Sequence, residues 1–166
     1  MTPRLRRRAL LIGTEHHDDA RLDALPCTRA DNTQLHEVLG HPAIGGFETV
    51  GIAHDLSAAG LRSAIAEFVD GCEEDELALL YISGHGARLV ESGGEYFFIA
   101  TDSDVDDLAR TGAGASYVNG RVGARFAQQE VPYTTAATPA ASRWDSGLSP
   151  GRRPRGHQPP YRPLGA

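Results

Sequence analysis

Leu77-Ala78-Leu79-Leu80-Tyr81-Ile82-Ser83-Gly84-His85-Gly86 is the stretch whose reading decides the fold. From Leu77 to Ile82 every position is apolar, the pattern of a strand buried on both faces of a parallel sheet. An acidic turn, Glu73-Glu74-Asp75-Glu76, leads into it. The run then breaks on a histidine set between two glycines, which let the backbone turn sharply and approach a ligand closely. This places an imidazole at the carboxyl end of a central strand, where open α/β sheets hold their chemistry.

Working upstream, the same alternation of strand and helix repeats. Ala9–Gly13 reads as a strand and Thr14–Pro26 as a polar loop. A helix follows from about Arg29 to Leu39, with Leu35, Val38 and Leu39 on one face, stopped by Gly40 and Pro42. Phe47–Ala53 is the next strand. Asp55 or Ser57 can cap the helix after it, where Leu61, Ile65, Phe68 and Val69 recur at helical spacing before Gly71. Downstream, Glu95–Ala100 reads as a strand in a hairpin turned at Ser92-Gly93-Gly94, and Ser116-Tyr117-Val118-Asn119 begins a helix. These units predict an α/β fold, a mainly parallel sheet flanked by helices. The strand Ala9–Gly13 should lie between the other two, each crossover being right-handed.

Ser83-Gly84-His85-Gly86 after an apolar strand resembles the histidine motif of the caspase and metacaspase family of cysteine peptidases. Arg8-Ala9-Leu10-Leu11-Ile12-Gly13 is similar to that family's first strand. Leu25-Pro26-Cys27-Thr28-Arg29-Ala30-Asp31 is similar to the opening of its first helix, and Gly45-Gly46-Phe47-Glu48-Thr49-Val50 to its second strand. Tyr96-Phe97-Phe98-Ile99-Ala100-Thr101-Asp102 resembles the strand after the histidine turn. The likeness covers about residues 8–120. It implies a three-layer caspase-like fold, peptide or protein substrates, and hydrolysis through a cysteine that His85 activates. It further implies that the backbone N–H of Gly86 helps hold the oxyanion. Cys27 and Asp31 match the segment that lines the pocket for the substrate's side chain, where a carboxylate favours Arg or Lys. On the residues alone, the plain reading of His85 is a histidine filling a turn, and Asp31 reads as well as a helix-dipole partner.

The sequence departs from the family where the nucleophile belongs. The family's motif is of the form Asp-Cys-Cys-x-Ser-Gly, tens of residues past the histidine, yet no cysteine follows Cys72. Cys27, beside Pro26, and Cys72, after Gly71, both lie far from that position. The fold is therefore expected to be incomplete at its C-terminal side. After about Gly120 periodicity ends, and Pro132–Ala166 is dominated by Pro, Arg, Gly, Ala, Ser and Thr. Two readings of this 121–166 segment stay open. One is a disordered tail, whose composition buries too little apolar surface to offset its ordering entropy. The other is translation out of frame. Read from the third base of each codon, Thr134–Ser146 permits Asp-Cys-Cys-Tyr-Ser-Gly-Gly-Phe-Ala-Met-Gly-Leu, with only the wobble bases free. A frame change between about Gly120 and Thr134 would replace the family's cysteine strand with an Arg/Pro/Ala-rich product.

Composition sets further bounds. The 166 residues suit one domain of ordinary size, and the formal net charge is −6. All the basic side chains are arginine, and from Arg121 onward seven arginines face only Glu130 and Asp145. No apolar run approaches the ~20 residues of a membrane span. The basic start Pro3–Arg8 precedes a strand too short for a signal-peptide core. Two cysteines make no disulfide framework, so a cytoplasmic location is expected. The arginines of Arg4–Arg8 and of the tail lack aromatic interleaving, so no nucleic-acid partner is expected. His16-His17-Asp18-Asp19 invites a metal reading with His54 or His85, but adjacent loop residues rarely face one centre and no ligand spacing supports it. The acidic Asp102–Asp107 run lacks the alternating ligands of an EF-hand loop. No cofactor is expected, calcium entering only through the resemblance, since some metacaspases need it. Loss of the cysteine strand would bare a sheet edge, so strand-mediated self-association is expected.

Overall fold

Arg6–Gly13 (β1) is the central strand of the computed structural model, which describes residues 6–126 other than 74 and 91. From Ala9 to Ile12 it is apolar on both faces, and Leu11 and Ile12 are fully buried. Thr49–His54 (β2) and Glu76–Ser83 (β3) flank it in parallel, giving the order β2-β1-β3. Leu10 pairs with Gly51 on one side and Leu80 on the other, and Ile12 with Ala53 and Ile82. The first strand thus lies between the other two, as the sequence predicts.

Cys27–Gly40 (α1) packs on β1 and β2, and Ala58–Asp70 (α2) presents Leu61, Ile65 and Val69 to the face bearing Leu10, Ile12, Leu80 and Ile82. Burying each such side chain contributes about 2 kcal/mol. Ser57 caps α2, its hydroxyl accepting from Gly60 N–H at 3.1 Å, and Asp102 accepts from Ala58 N–H at 2.6 Å. Asp55, the other cap read from sequence, instead takes a left-handed φ of 50° and turns toward the loop after β1.

The face expected on α1 needs correction. Val38 is 46% exposed, while Thr28 and Asn32 are buried. Thr28 and Asn32 share the inward stripe with the half-buried Leu35 and Leu39, so apolar spacing finds part of the face and Val38 alone lies off it. The tight fit explains Gly13: a Cβ there would lie 2.7 Å from Asn32 Nδ2 and 2.9 Å from His54 Nδ1.

A second, antiparallel sheet contains the hairpin read from the sequence and adds a third strand that was not expected. Gly86–Leu89 (β4), Glu95–Phe98 (β5) and Ala113–Gly114 (β6) run in the order β4-β5-β6. The hairpin between β4 and β5 turns on Gly93 and Gly94, both at positive φ. Strand β5 ends at Phe98, short of Ala100. Phe98 enters the main core, whereas Phe97 joins Leu22, Ile99 and Leu108 in a smaller cluster that anchors the loop after β1.

A short helix, Leu108–Thr111 (α3), precedes β6, and Ala115–Phe126 (α4) closes the described chain. Helix α4 runs past the boundary read at Gly120, because Val118 and Val122 continue the core stripe and Arg121 pairs with Asp70 at 2.5 Å. The shifted-frame and disorder readings of Pro132–Ala166 fall outside the described residues.

Candidate active site

The carboxyl ends of β1, β2 and β3 meet at Gly13, His54 and Ser83. Thr14 N–H donates to the Ser83 carbonyl at 2.9 Å, and Asp55 N–H to that of Gly13 at 2.8 Å. His85 sits just past this edge, at the break between β3 and β4, half-buried. Its own carbonyl accepts from Ile99 N–H at 3.0 Å, fixing the turn to the end of β5.

The His85 ring is held in one orientation. Its Nε2 lies 2.8 Å from the backbone carbonyl of Asp23. A carbonyl can only accept, so Nε2 carries the proton and Nδ1 is the basic nitrogen. Nδ1 has no hydrogen-bond partner among the described residues. Gly86 opens β4 opposite Phe98. A Cβ on Gly86 would strike the Tyr96 hydroxyl at 1.8 Å, so a larger residue there would have to displace that ring.

Asp55 shapes the opposite rim. Its carboxylate accepts from Glu15 N–H at 2.7 Å and His16 N–H at 3.1 Å, and pairs with Arg29 at 2.9 Å. Burial works against its charge, but these backbone donors and His16 outweigh it, and the carboxyl stays below its ordinary range. The histidine run consequently divides. His16 faces Asp55, where Glu15, His16 and Asp55 cluster, but Arg29 already neutralises both carboxylates of that cluster. His17 points the other way, with its ring centroid 5.0 Å from that of His85 and the planes 60° apart.

Cys27 is the first residue of α1 and Asp31 lies one turn on, both exposed. Neither side chain makes a hydrogen bond or ion pair among the described residues. They share one side of the helix that begins a few residues beyond Asp23. Cys72 is buried and donates its thiol to the Phe68 carbonyl at 3.1 Å; burial pushes its pKa up.

The acidic run after β5 is committed elsewhere. Arg21 binds Asp19, Asp104 and Asp106, and Arg110 binds Asp107. Asp102 caps α2. These donors are engaged by arginines and a helix end, a set that does not fit a calcium ion. The amino-terminal arginines are engaged as well: Arg6 pairs with Glu73, Arg7 donates to the Gly45 carbonyl at 2.6 Å, and Arg8 pairs with Glu76.

The family model of the caspase domain matches residues 6–112. The chain belongs to the caspase-domain family of peptidases. No curated protein matches the chain closely enough to be counted a relative. The matched span contains β1, β2, β3, the His85 turn and most of the antiparallel sheet, so the family assignment and the site geometry rest on the same residues. No helix among the described residues is long and apolar enough to cross a membrane.

Two parts of the site were not legible in advance. The Asp23 carbonyl is backbone, and no residue type signals it. His17 stood inside a polar run whose plain reading was a solvated loop.

Proposed function

We propose that this caspase-domain chain descends from a cysteine endopeptidase that cleaves after Arg or Lys, and that as written it does not turn over. The observation that carries the reading is His85, with Nε2 tied to the Asp23 carbonyl and Nδ1 left as the base. With a cysteine on the strand beside β3, the thiol proton would pass to Nδ1 and the thiolate would attack the peptide carbonyl. The tetrahedral oxyanion would be held by backbone N–H groups, Gly86 supplying one. It would collapse as His85 returns the proton to the departing amine, leaving a thioester for water to hydrolyse.

The charge of the rim supports a basic substrate side chain. Arg21 and Arg29 are consumed by ion pairs, whereas Asp18, Asp23 and Asp31 are exposed and without an ion pair among the described residues. A cationic side chain entering beside α1 would meet uncompensated carboxylates. Asp31, with Cys27 at its side, is the proposed pocket group. The low cysteine count supports a reducing compartment, the cytoplasm.

The second reading is a non-catalytic module that binds peptides without cutting them. It is favoured by one feature, the lack of any cysteine after Cys72. Sequencing the coding DNA across codons 118–146 separates the two. A repaired frame should encode a cysteine near residue 136, and the repaired protein should cleave Arg and Lys reporter peptides in preference to Asp ones. Replacing His85→Ala in it should lower turnover by at least ~10². No cysteine near that position, or full activity in the His85→Ala protein, would defeat the peptidase reading. As written, the chain should show no cleavage. Activity abolished by Cys27→Ala would overturn that part.

A further inference from the structure

We propose that His17 is a positioning residue for His85, pinning its ring in the rotamer that leaves Nδ1 as the base. This deepens the peptidase reading and rests on His85 being the working imidazole.

Three observations converge. The ring of His17 meets that of His85 edge to face, at 5.0 Å and 60°. Aromatic rings favour this geometry because the positive edge of one faces the negative face of the other. Both nitrogens of His17 are buried and have no hydrogen-bond partner among the described residues. A histidine placed only to fill a polar loop would turn a nitrogen toward water or a carbonyl. This one spends that capacity on a ring contact. Finally, His85 has a single hydrogen-bond anchor, Nε2 to the Asp23 carbonyl. One hydrogen bond leaves the ring free to rock about it, and a second contact on the ring removes that freedom.

The chemistry of His17 suits the task. An imidazole that stays neutral places no positive charge beside His85, so it does not oppose the imidazolium that forms during proton transfer. Burial and the neighbouring His85 lower the pKa of His17 to about 4, so its ring is uncharged at neutral pH. His17 and Asp23 lie on the same loop, and Leu22 fastens that loop into the smaller apolar cluster. Both supports of His85 therefore come from one anchored loop.

The test uses the full chain as it stands, labelled with ¹⁵N, and reads the histidine rings by long-range ¹H–¹⁵N correlation. The His85 signal is assigned by its loss in His85→Gln. In the parent protein His85 should be a single Nε2–H tautomer with a slowly exchanging ring proton. His17→Phe, which keeps the ring contact, should preserve both features. His17→Ala should mix the tautomers and speed ring-proton exchange about two- to tenfold, the range an aromatic contact supports. His17→Leu fills the space without a ring and should behave as His17→Ala does, which covers the case in which the alanine variant fails to fold. An unchanged His85 signal in the folded leucine or alanine variant would overturn the proposal. So would a phenylalanine variant that behaves like alanine. These readouts need no turnover, so failure of the peptidase reading would appear separately, in the repaired protein.

Discussion

His17 takes a proton in the folded chain only near pH 4, against 6.5 for an ordinary histidine. Desolvation is the larger cause and repulsion from His85 and His16 adds to it, while Asp55 and Asp18 act in the opposite direction. Between these two values the unfolded chain binds more protons than the folded one. The contribution of this residue to stability is therefore whole above pH 6.5, shrinks as the pH falls, and is gone below about 4. Urea unfolding of the parent protein should show a midpoint that falls across this window. In His17→Phe the fall should be shallower, because the group that must gain a proton is absent. Equal slopes in the two proteins would show that His17 is not held neutral by its surroundings. Residue by residue, the candidate site was legible where a side chain could carry chemistry. His85 was picked out by its flanking glycines, but the group that holds its ring is a peptide carbonyl, which every residue possesses.

At the scale of elements, the outcome depended on what fills the buried face. In α2 the stripe Leu61, Ile65 and Val69 is apolar throughout, and the helix packs as its spacing predicts. In α1 the inward stripe joins Thr28 and Asn32 to the half-buried Leu35 and Leu39, and only the apolar Val38 misled, lying open to solvent. A pair of substitutions measures this difference. Ile65 is fully buried in the main core, and Ile65→Ala should cost about 2–5 kcal/mol of unfolding free energy through lost transfer energy and the cavity left behind. Val38→Ser should change stability by less than about 0.5 kcal/mol, as exposed positions do. Both values come from denaturant titration, and a larger loss for Val38→Ser would place α1 differently on the sheet. The hairpin of the antiparallel sheet was legible from its glycine turn, but its third strand was not: β6 is only Ala113–Gly114, too brief for any alternation to read.

For the whole molecule, the consequential feature is the outer edge of β3. Strand β1 has partners on both sides, but among the described residues no strand pairs with β3 on the side away from β1. Burial follows this asymmetry. Strand β1 holds fully buried side chains, whereas Leu77 on β3 is 43% exposed, and its neighbours along the strand are only half-buried. The apolar run that first suggested a strand covered on both faces thus lacks part of its cover here. An unpaired apolar edge offers N–H and C=O groups in a row and invites another chain to add a strand. We propose that the cysteine strand of the repaired frame would occupy this edge, so that one segment would both complete the sheet and bring the thiol to His85. The chain as written should then self-associate with rising concentration, as read by sedimentation equilibrium. Leu77→Lys should weaken that association, because a charge on an exposed edge penalises strand addition while this position already tolerates solvent. The repaired chain should remain monomeric at concentrations where the written one associates. A written chain that stays monomeric throughout, or a repaired chain that associates equally, would mean that this edge is not where the missing strand belongs.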